Sequence, residues 1–418
     1  MINVMLIFLC ALIMSKIAHK KLPLDPGSIH IYVLAFTNAS VLLLHTIWYN
    51  NFINNHYWLL WSQEGMVEKV LTINATYVVV FTLSYLILIR LFKNNHHNGK
   101  IIRFEYPTNN FILVYIITIM LVVTFRVMSL DYYASYLQQI PELVMLIAGA
   151  LVLSKIKNNY ALGIVCFYYL VVTILIITPL LSDSENYVIN RGGAVSTVLF
   201  TIVFIDVIQE RNLISKKRVI LGLLLLPIIL GGANFVEEYI NSGQVSLHML
   251  MIYLLEGYEI RMMENQAIVI NSIETNQMYA LGNTYLLTLV DLIFPFLNLN
   301  VSPGVWLASY VDSESDGSAR FGMSTIAEGM MNFPVYGAVV AALINAFILF
   351  LLRCLFYTKR YYGPILFAAL FVLPYYLYRS DFNYTMKKVE FAILSTFAVL
   401  ILLKVIGLFN LTKKRKGL

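Results

Sequence analysis

The sequence predicts an all-α integral membrane protein with about eleven transmembrane helices and one large outer loop containing amphipathic helices. Three observations predict it. Of the 418 residues, 59% are hydrophobic and 12% are charged, with a mean hydropathy of +0.75; a water-soluble surface of this size needs more charge. Apolar runs near bilayer length recur along the whole chain. Basic residues fall on alternate connectors. Together these exclude a water-soluble, core-rich enzyme.

Spans are expected at 3–18, 29–47, 70–91, 110–128, 141–156, 161–179, 193–209, 219–233, 334–353, 363–379 and 389–409. The first has no basic segment ahead of it and no small-residue cleavage site before His19-Lys20-Lys21. It reads as an uncleaved helix rather than a signal peptide. Threading the spans alternately places 21 of the 29 Lys and Arg on one side with 4 of the 23 acids, and leaves 8 basic residues with 19 acids on the other. The basic side is cytoplasmic by the positive-inside rule. The N-terminus then lies outside and the C-terminus, with Lys413-Lys414-Arg415-Lys416, inside. The chain reads as one polytopic domain, 1–418, with an outer loop at 233–333. Cys10, Cys166 and Cys354 fall within spans or near a span end, so no disulfide is expected. The net charge of +6 reflects orientation and carries no nucleic-acid footprint.

The long loop is rich in aromatic and aliphatic residues, so composition argues against disorder. Between Val245 and Ile273 regularly spaced apolar residues, broken by Glu256, Glu259, Arg261 and Glu264, predict one or two amphipathic helices. Asn283 to Leu299 is apolar, contains Asp291 and is broken by Pro295; it is too short to span and predicts a membrane-dipping or interfacial helix. No internal repeat of the inverted-transporter kind is visible.

Five of the eight outer basic residues are arginine: Arg126, Arg191, Arg261, Arg320 and Arg379, beside Lys69, Lys387 and Lys388. On the inner side arginine supplies 7 of 21. A guanidinium stays charged when partly buried and binds phosphate through two parallel hydrogen bonds. Arg191 also precedes two glycines, where backbone N–H groups can approach a ligand. Two readings stand side by side. Each arginine can pair with an acid close in sequence, among them Asp131, Glu185, Glu264, Asp316 and Asp381. Alternatively the set grips a polyanionic headgroup at the outer lip of the bundle, such as a lipid-linked diphosphate.

The stretch DGSARFGMSTIAEGMMNFPVYG (Asp316–Gly337) leads into the ninth span. Gly317 and Gly322 loosen the backbone around Arg320. Thr325-Ile-Ala-Glu328 matches a capping box, and Pro334 suits the start of the transmembrane run. Glu328 therefore has a structural reading, capping a helix, and a functional one, a general base beside an arginine. Asp291, Asp312 and Asp316 are rival bases, and His248, the only histidine of the large loop, is another. Asp312, Glu314 and Asp316 alternate as cation ligands do, but no EF-hand pattern follows. A solvated acidic turn is the preferred reading, and neither a metal nor a cofactor is expected.

GSARFGMSTIAEGMMNFPVYG, followed by a span, resembles the G-x-S-x-x-A-E-x-x-x-N-F pattern that closes the large periplasmic loop of bacterial O-antigen polymerases, the Wzy family. The YRSDF segment (Tyr378–Phe382) looks like the arginine-bearing region near the end of such proteins. Met330-Met331 and Pro334 depart from that pattern, which has tyrosine-leucine and glycine there. The motif covers about 20 residues, while the general plan covers the whole chain. The resemblance implies a glycosyltransferase-type polymerase at the outer face of the bacterial inner membrane. Its substrates would be undecaprenyl-diphosphate-linked oligosaccharide units, and a flippase and a chain-length regulator would be its partners. On this view the arginines stabilise the leaving diphosphate and Glu328 takes the acceptor proton. An O-antigen ligase, leaning on His248, and a flippase or transporter of lipid-linked oligosaccharide are the competing readings.

Overall fold

The computed structural model describes residues 1–19, 22–52, 65–92, 181–183, 186–188, 191–209, 261–276, 280–294, 323–358 and 362–405, with shorter pieces between 112 and 307. In chain order the elements are α1 (Ile2–Ile17), α2 (Pro26–Phe52), α3 (Met66–Leu91), the strands β1 (Leu181–Asp183) and β2 (Asn186–Val188), α4 (Arg191–Gln209), α5 (Arg261–Asn276), α6 (Asn283–Ile293), α7 (Thr325–Asn332), α8 (Gly337–Tyr357), α9 (Tyr362–Ala369), α10 (Leu373–Arg379) and α11 (Phe382–Val405). The described chain is thus helical apart from one small antiparallel hairpin, in register Leu181 with Val188 and Asp183 with Asn186. Among the described residues Pro26–Leu43, Met66–Leu91 and Gly337–Tyr357 are long and apolar enough to cross a membrane. The expected spans at 110–128, 161–179 and 219–233 lie largely outside the described residues, whereas 141–156 is described in larger part, with residues 144–150 helical.

The chain forms two compact units: Met1–His96 with Ile214–Cys354 and Leu373–Lys388, and His97–Leu213 with Leu355–Val372 and Val389–Leu418. In the first, α1 packs on α2 and α3, and α10 packs on α2. The buried stripe of α1 is Val4, Ile7, Cys10, Ala11 and Met14, while Ile2, Met5, Leu9 and Leu12 on the other face are exposed. A helix apolar all round suits lipid rather than water. A second cluster joins Val41 of α2, Met66 and Val70 of α3, Met263, Ala267 and Ile270 of α5, and Ala327 and Met330 of α7. It anchors the short α7, seven of whose eight residues are buried. In the second unit α9 packs on α4. There Phe200 stacks on Phe204 at 5.3 Å and the Tyr169 hydroxyl donates to the Leu146 carbonyl at 3.2 Å.

Two local expectations are corrected. The run at 363–379 is not one continuous helix: it is α9 and α10 separated by a turn at 370–372. Pro374 lacks an N–H and is tolerated only in a first turn, which is where it sits in α10. Pro334 does not open the ninth helix; it begins a three-residue turn, and α8 starts at Gly337. That turn brings Gly329 of α7 against Gly337 of α8, backbone to backbone, so a Cβ on either would strike the other's main chain. Gly337→Val is expected to cost about 1–3 kcal/mol or more through overpacking. Thermal unfolding of the detergent-solubilised protein checks this, and an unchanged midpoint contradicts it.

Candidate functional site

One buried polar network of the first unit surrounds α7. Its N-cap is Ser324, in extended conformation, whose Oγ accepts from the Ala327 N–H at 3.2 Å. This corrects the expected Thr325–Glu328 capping box. Thr325 is the first helical residue, and its hydroxyl donates to the Leu377 carbonyl at 2.6 Å, one of the last carbonyls of α10 that lack an intrahelical partner. Glu328 is then one position too far along to serve its own helix terminus.

Glu328 is fully buried. Its Oε1 accepts from the Thr284 hydroxyl at 2.6 Å, and its Oε2 accepts from the Phe382 N–H at 2.5 Å. The carboxyl therefore caps the N-terminus of α11, 54 residues away in sequence. Asp381, just before that helix, caps it as well by accepting from the Tyr384 N–H at 2.7 Å. Two acids thus meet at one helix terminus. Burial, followed by repulsion from Asp381, pushes the Glu328 pKa up from 4.5 to about 8, against the lowering effect of the Thr284 and Phe382 hydrogen bonds. Such a carboxyl holds its proton at neutral pH and is a strong base once it loses it.

Asn332 lies one turn after Glu328 on the same face of α7. Its Nδ2 donates to Thr284 Oγ1 at 2.7 Å and to the Glu328 carbonyl at 2.8 Å, while its Oδ1 accepts from the Thr284 N–H at 3.4 Å. Ala280 N–H donates to the Met331 carbonyl at 2.9 Å, and Gly282, at φ 82°, makes the left-handed turn into α6. The rings of Phe333 and Phe382 both pack on Tyr285, with centroids 6.4 and 5.0 Å away. The A-E-x-x-x-N-F stretch and the R-S-D-F stretch singled out in the sequence therefore close on α6 from two sides.

A second set of hydrogen bonds fixes α7 from behind. His30 Nδ1 donates to the Pro374 carbonyl at 2.7 Å and its Nε2 accepts from Tyr77 at 2.8 Å. Asn345 Nδ2 donates to Tyr77 and to Thr325 Oγ1, both at 2.7 Å. Nothing in the pattern of the sequence singled out His30, Tyr77, Asn345 or Thr284; each lies on a helix, and only packing aligns them.

α6 has its polar side inward. Thr284, Tyr285, Thr288 and Asp291 are buried, whereas Leu286, Leu289 and Ile293 are half or more exposed. That polarity suits the membrane-dipping helix expected for this stretch and would be inverted in water. Asp291 is paired with Lys387 at 2.8 Å. Arg379 donates to the Tyr375 hydroxyl at 3.0 Å and lies 5.7 Å from the centre of its ring, and Lys388 lies 5.2 Å from that of Tyr384. Three cations thus fall within ten residues of chain beside the two-acid terminus. Lys69 pairs with Glu274 on the surface, at 2.8 Å.

Of the residues expected at the site, the structure places Asp291 on α6 and Glu328 on α7, where it accepts from Thr284 of α6, and leaves Arg379 half-buried at the end of α10. Arg261 is the first residue of α5, and Arg191, in the other unit, the first of α4. Their side chains, together with Arg126, His248, Asp312, Glu314, Asp316 and Arg320, lie outside the described residues. Among the described residues no cluster of three potential metal ligands occurs.

Fold and site define a class: a helical protein, with helices long and apolar enough to cross a membrane, that carries a buried carboxyl at the junction of α6, α7 and α11. No protein-family model matches the chain, and neither a curated protein nor a solved structure is detectably similar to it.

Proposed function

We propose that the protein is an integral membrane glycosyltransferase of the bacterial inner membrane that polymerises undecaprenyl-diphosphate-linked oligosaccharide repeat units at its outer face. One observation carries the reading: a buried carboxyl with its pKa raised to about 8 sits at a helix terminus with Arg379, Lys387 and Lys388 on neighbouring turns of chain. The reaction needs a base for a sugar hydroxyl and cations for a departing diphosphate. The acceptor oxygen forms a bond to the anomeric carbon of the donor as the bond from that carbon to the diphosphate breaks with its electron pair. Glu328 takes the hydroxyl proton, the acceptor hydroxyl replacing Thr284 on Oε1. Arg320 and Arg379 neutralise the lipid diphosphate that leaves. The exposed leucines of α6 give the prenyl chain and surrounding lipid an apolar surface beside the polar face.

A strain lacking the protein is expected to make lipopolysaccharide cores capped by a single repeat unit, seen as loss of the ladder on a gel. Cores with no repeat at all would identify a ligase or a flippase instead. Arg320→Ala and Arg379→Ala should each remove long chains while the protein still inserts, and the lysine variants should restore them only in part, because an ammonium lacks the planar fork. Normal chain length in both alanine variants contradicts the diphosphate assignment.

A further inference from the structure

Glu328 is completely buried, so a proton that it takes up needs a polar route to the medium. The exposed face of α6 is leucine and isoleucine and offers none. The seam between α6 and α11 does. Two contacts define it: the Tyr285 ring meets Phe382 at 5.0 Å, and Asp291 meets Lys387 at 2.8 Å. The two helices therefore run in the same direction here. Thr288 lies one turn beyond Thr284 and one turn before Asp291, on the buried face of α6. Asn383 lies one turn before Lys387 on α11.

Thr288 is 0% and Asn383 6% exposed, yet Thr288 Oγ1, Asn383 Nδ2 and the Tyr285 hydroxyl have no hydrogen-bond partner among the described residues. Buried polar groups are ordinarily satisfied, and leaving them unmatched is costly. Three on one seam, all neutral and all able to bond hydroxyl groups, fit water. The seam opens at Lys387, whose side chain is 28% exposed against 2% for Asp291.

We propose that this seam is a hydrated proton path that joins the Glu328 carboxyl to the medium, with Tyr285, Thr288 and Asn383 as its stations and the Asp291–Lys387 pair as its mouth. It rests on the reading of Glu328 as the group that exchanges a proton with substrate. In each turnover the acceptor hydroxyl gives one proton to Glu328, and the path carries that proton out, so no further reactant is required. The charged groups that bear on it are Asp381 at the inner end and Asp291 with Lys387 at the outer.

The test is infrared spectroscopy of the full chain in lipid nanodiscs. The protonated carboxyl band of Glu328, identified by its loss in Glu328→Gln, is followed after mixing into deuterated buffer. Thr288→Val and Asn383→Leu are each expected to slow its exchange by roughly tenfold, the factor carried by one lost hydrogen-bonding station. Tyr285→Phe, which removes a single oxygen, serves as a second variant should either fail to fold. Exchange in the variants as fast as in the wild type overturns the path while leaving the chemical role of Glu328 standing. That role is tested separately, by whether Glu328→Gln stops chain elongation.

Discussion

Glu328→Gln is expected to stop chain elongation, by roughly two to four orders of magnitude, while leaving the protein folded. The amide preserves the local geometry: its oxygen can accept from the Phe382 N–H, and its nitrogen can donate to the Thr284 hydroxyl, which replaces the bond that Glu328 now accepts. Only the capacity to take a proton disappears. The pH dependence follows from the raised pKa. The deprotonated form is the base, so elongation should climb with pH towards about 8 and level off above it. Asp381 and Tyr285 face the carboxyl, and Asp291 with Lys387 lies further along α6.

The same shift fixes the sign of the stability change. A carboxyl whose folded pKa is raised contributes stability that is complete below its ordinary 4.5 and is lost as pH rises through about 8. A displacement of that size sets a ceiling on the order of 5 kcal/mol. Wild type should therefore lose thermal stability between pH 5 and pH 9 relative to Glu328→Gln, in parallel unfolding scans in detergent. Parallel curves would show that Glu328 carries no shifted proton. Unimpaired elongation in the glutamine variant would remove it from the chemistry.

The largest effect on stability is expected at Arg353. Its guanidinium is buried against Asp25, which is buried as well. The Asp25 carboxylate also accepts from the Tyr85 hydroxyl at 3.0 Å, the Ser28 N–H at 2.8 Å and the Ser28 hydroxyl at 2.7 Å. The pair ties the N-terminus of α2 to the far end of α8, with α3 contributing the tyrosine. Arg353→Met would leave a buried carboxylate without its counter-charge, at a cost of about 3–5 kcal/mol. Adding Asp25→Asn should recover most of that loss, since the asparagine oxygen can still cap Ser28 and no charge remains buried. Unfolding of the two single variants and the double variant gives the coupling. A double variant as unstable as the sum of the singles would show the two groups to be energetically independent.

Much of this was legible in the sequence. Helix positions followed from apolar runs: α1, α3, α4 and α8 lie within a few residues of the expected spans. The short helix at 283–293 was visible too, because its length, its Asp291 and the nearby Pro295 set it apart from a span. Glu328 stood out as a candidate helix cap or base. The break between α9 and α10 was missed, since the apolar run there continues without interruption through 370–372.

The sequence by itself determined which segments are helical and apolar, and which polar residues interrupt them, because helix formation and periodicity act over about four residues. Only the tertiary structure decided which partner each polar residue meets. Glu328 matched a cap for its own helix but caps α11, and Asp25 pairs with an arginine 328 residues away. Those choices depend on which helix termini and side chains packing brings together in a space without water, where a buried donor or charge must find whatever partner the fold supplies.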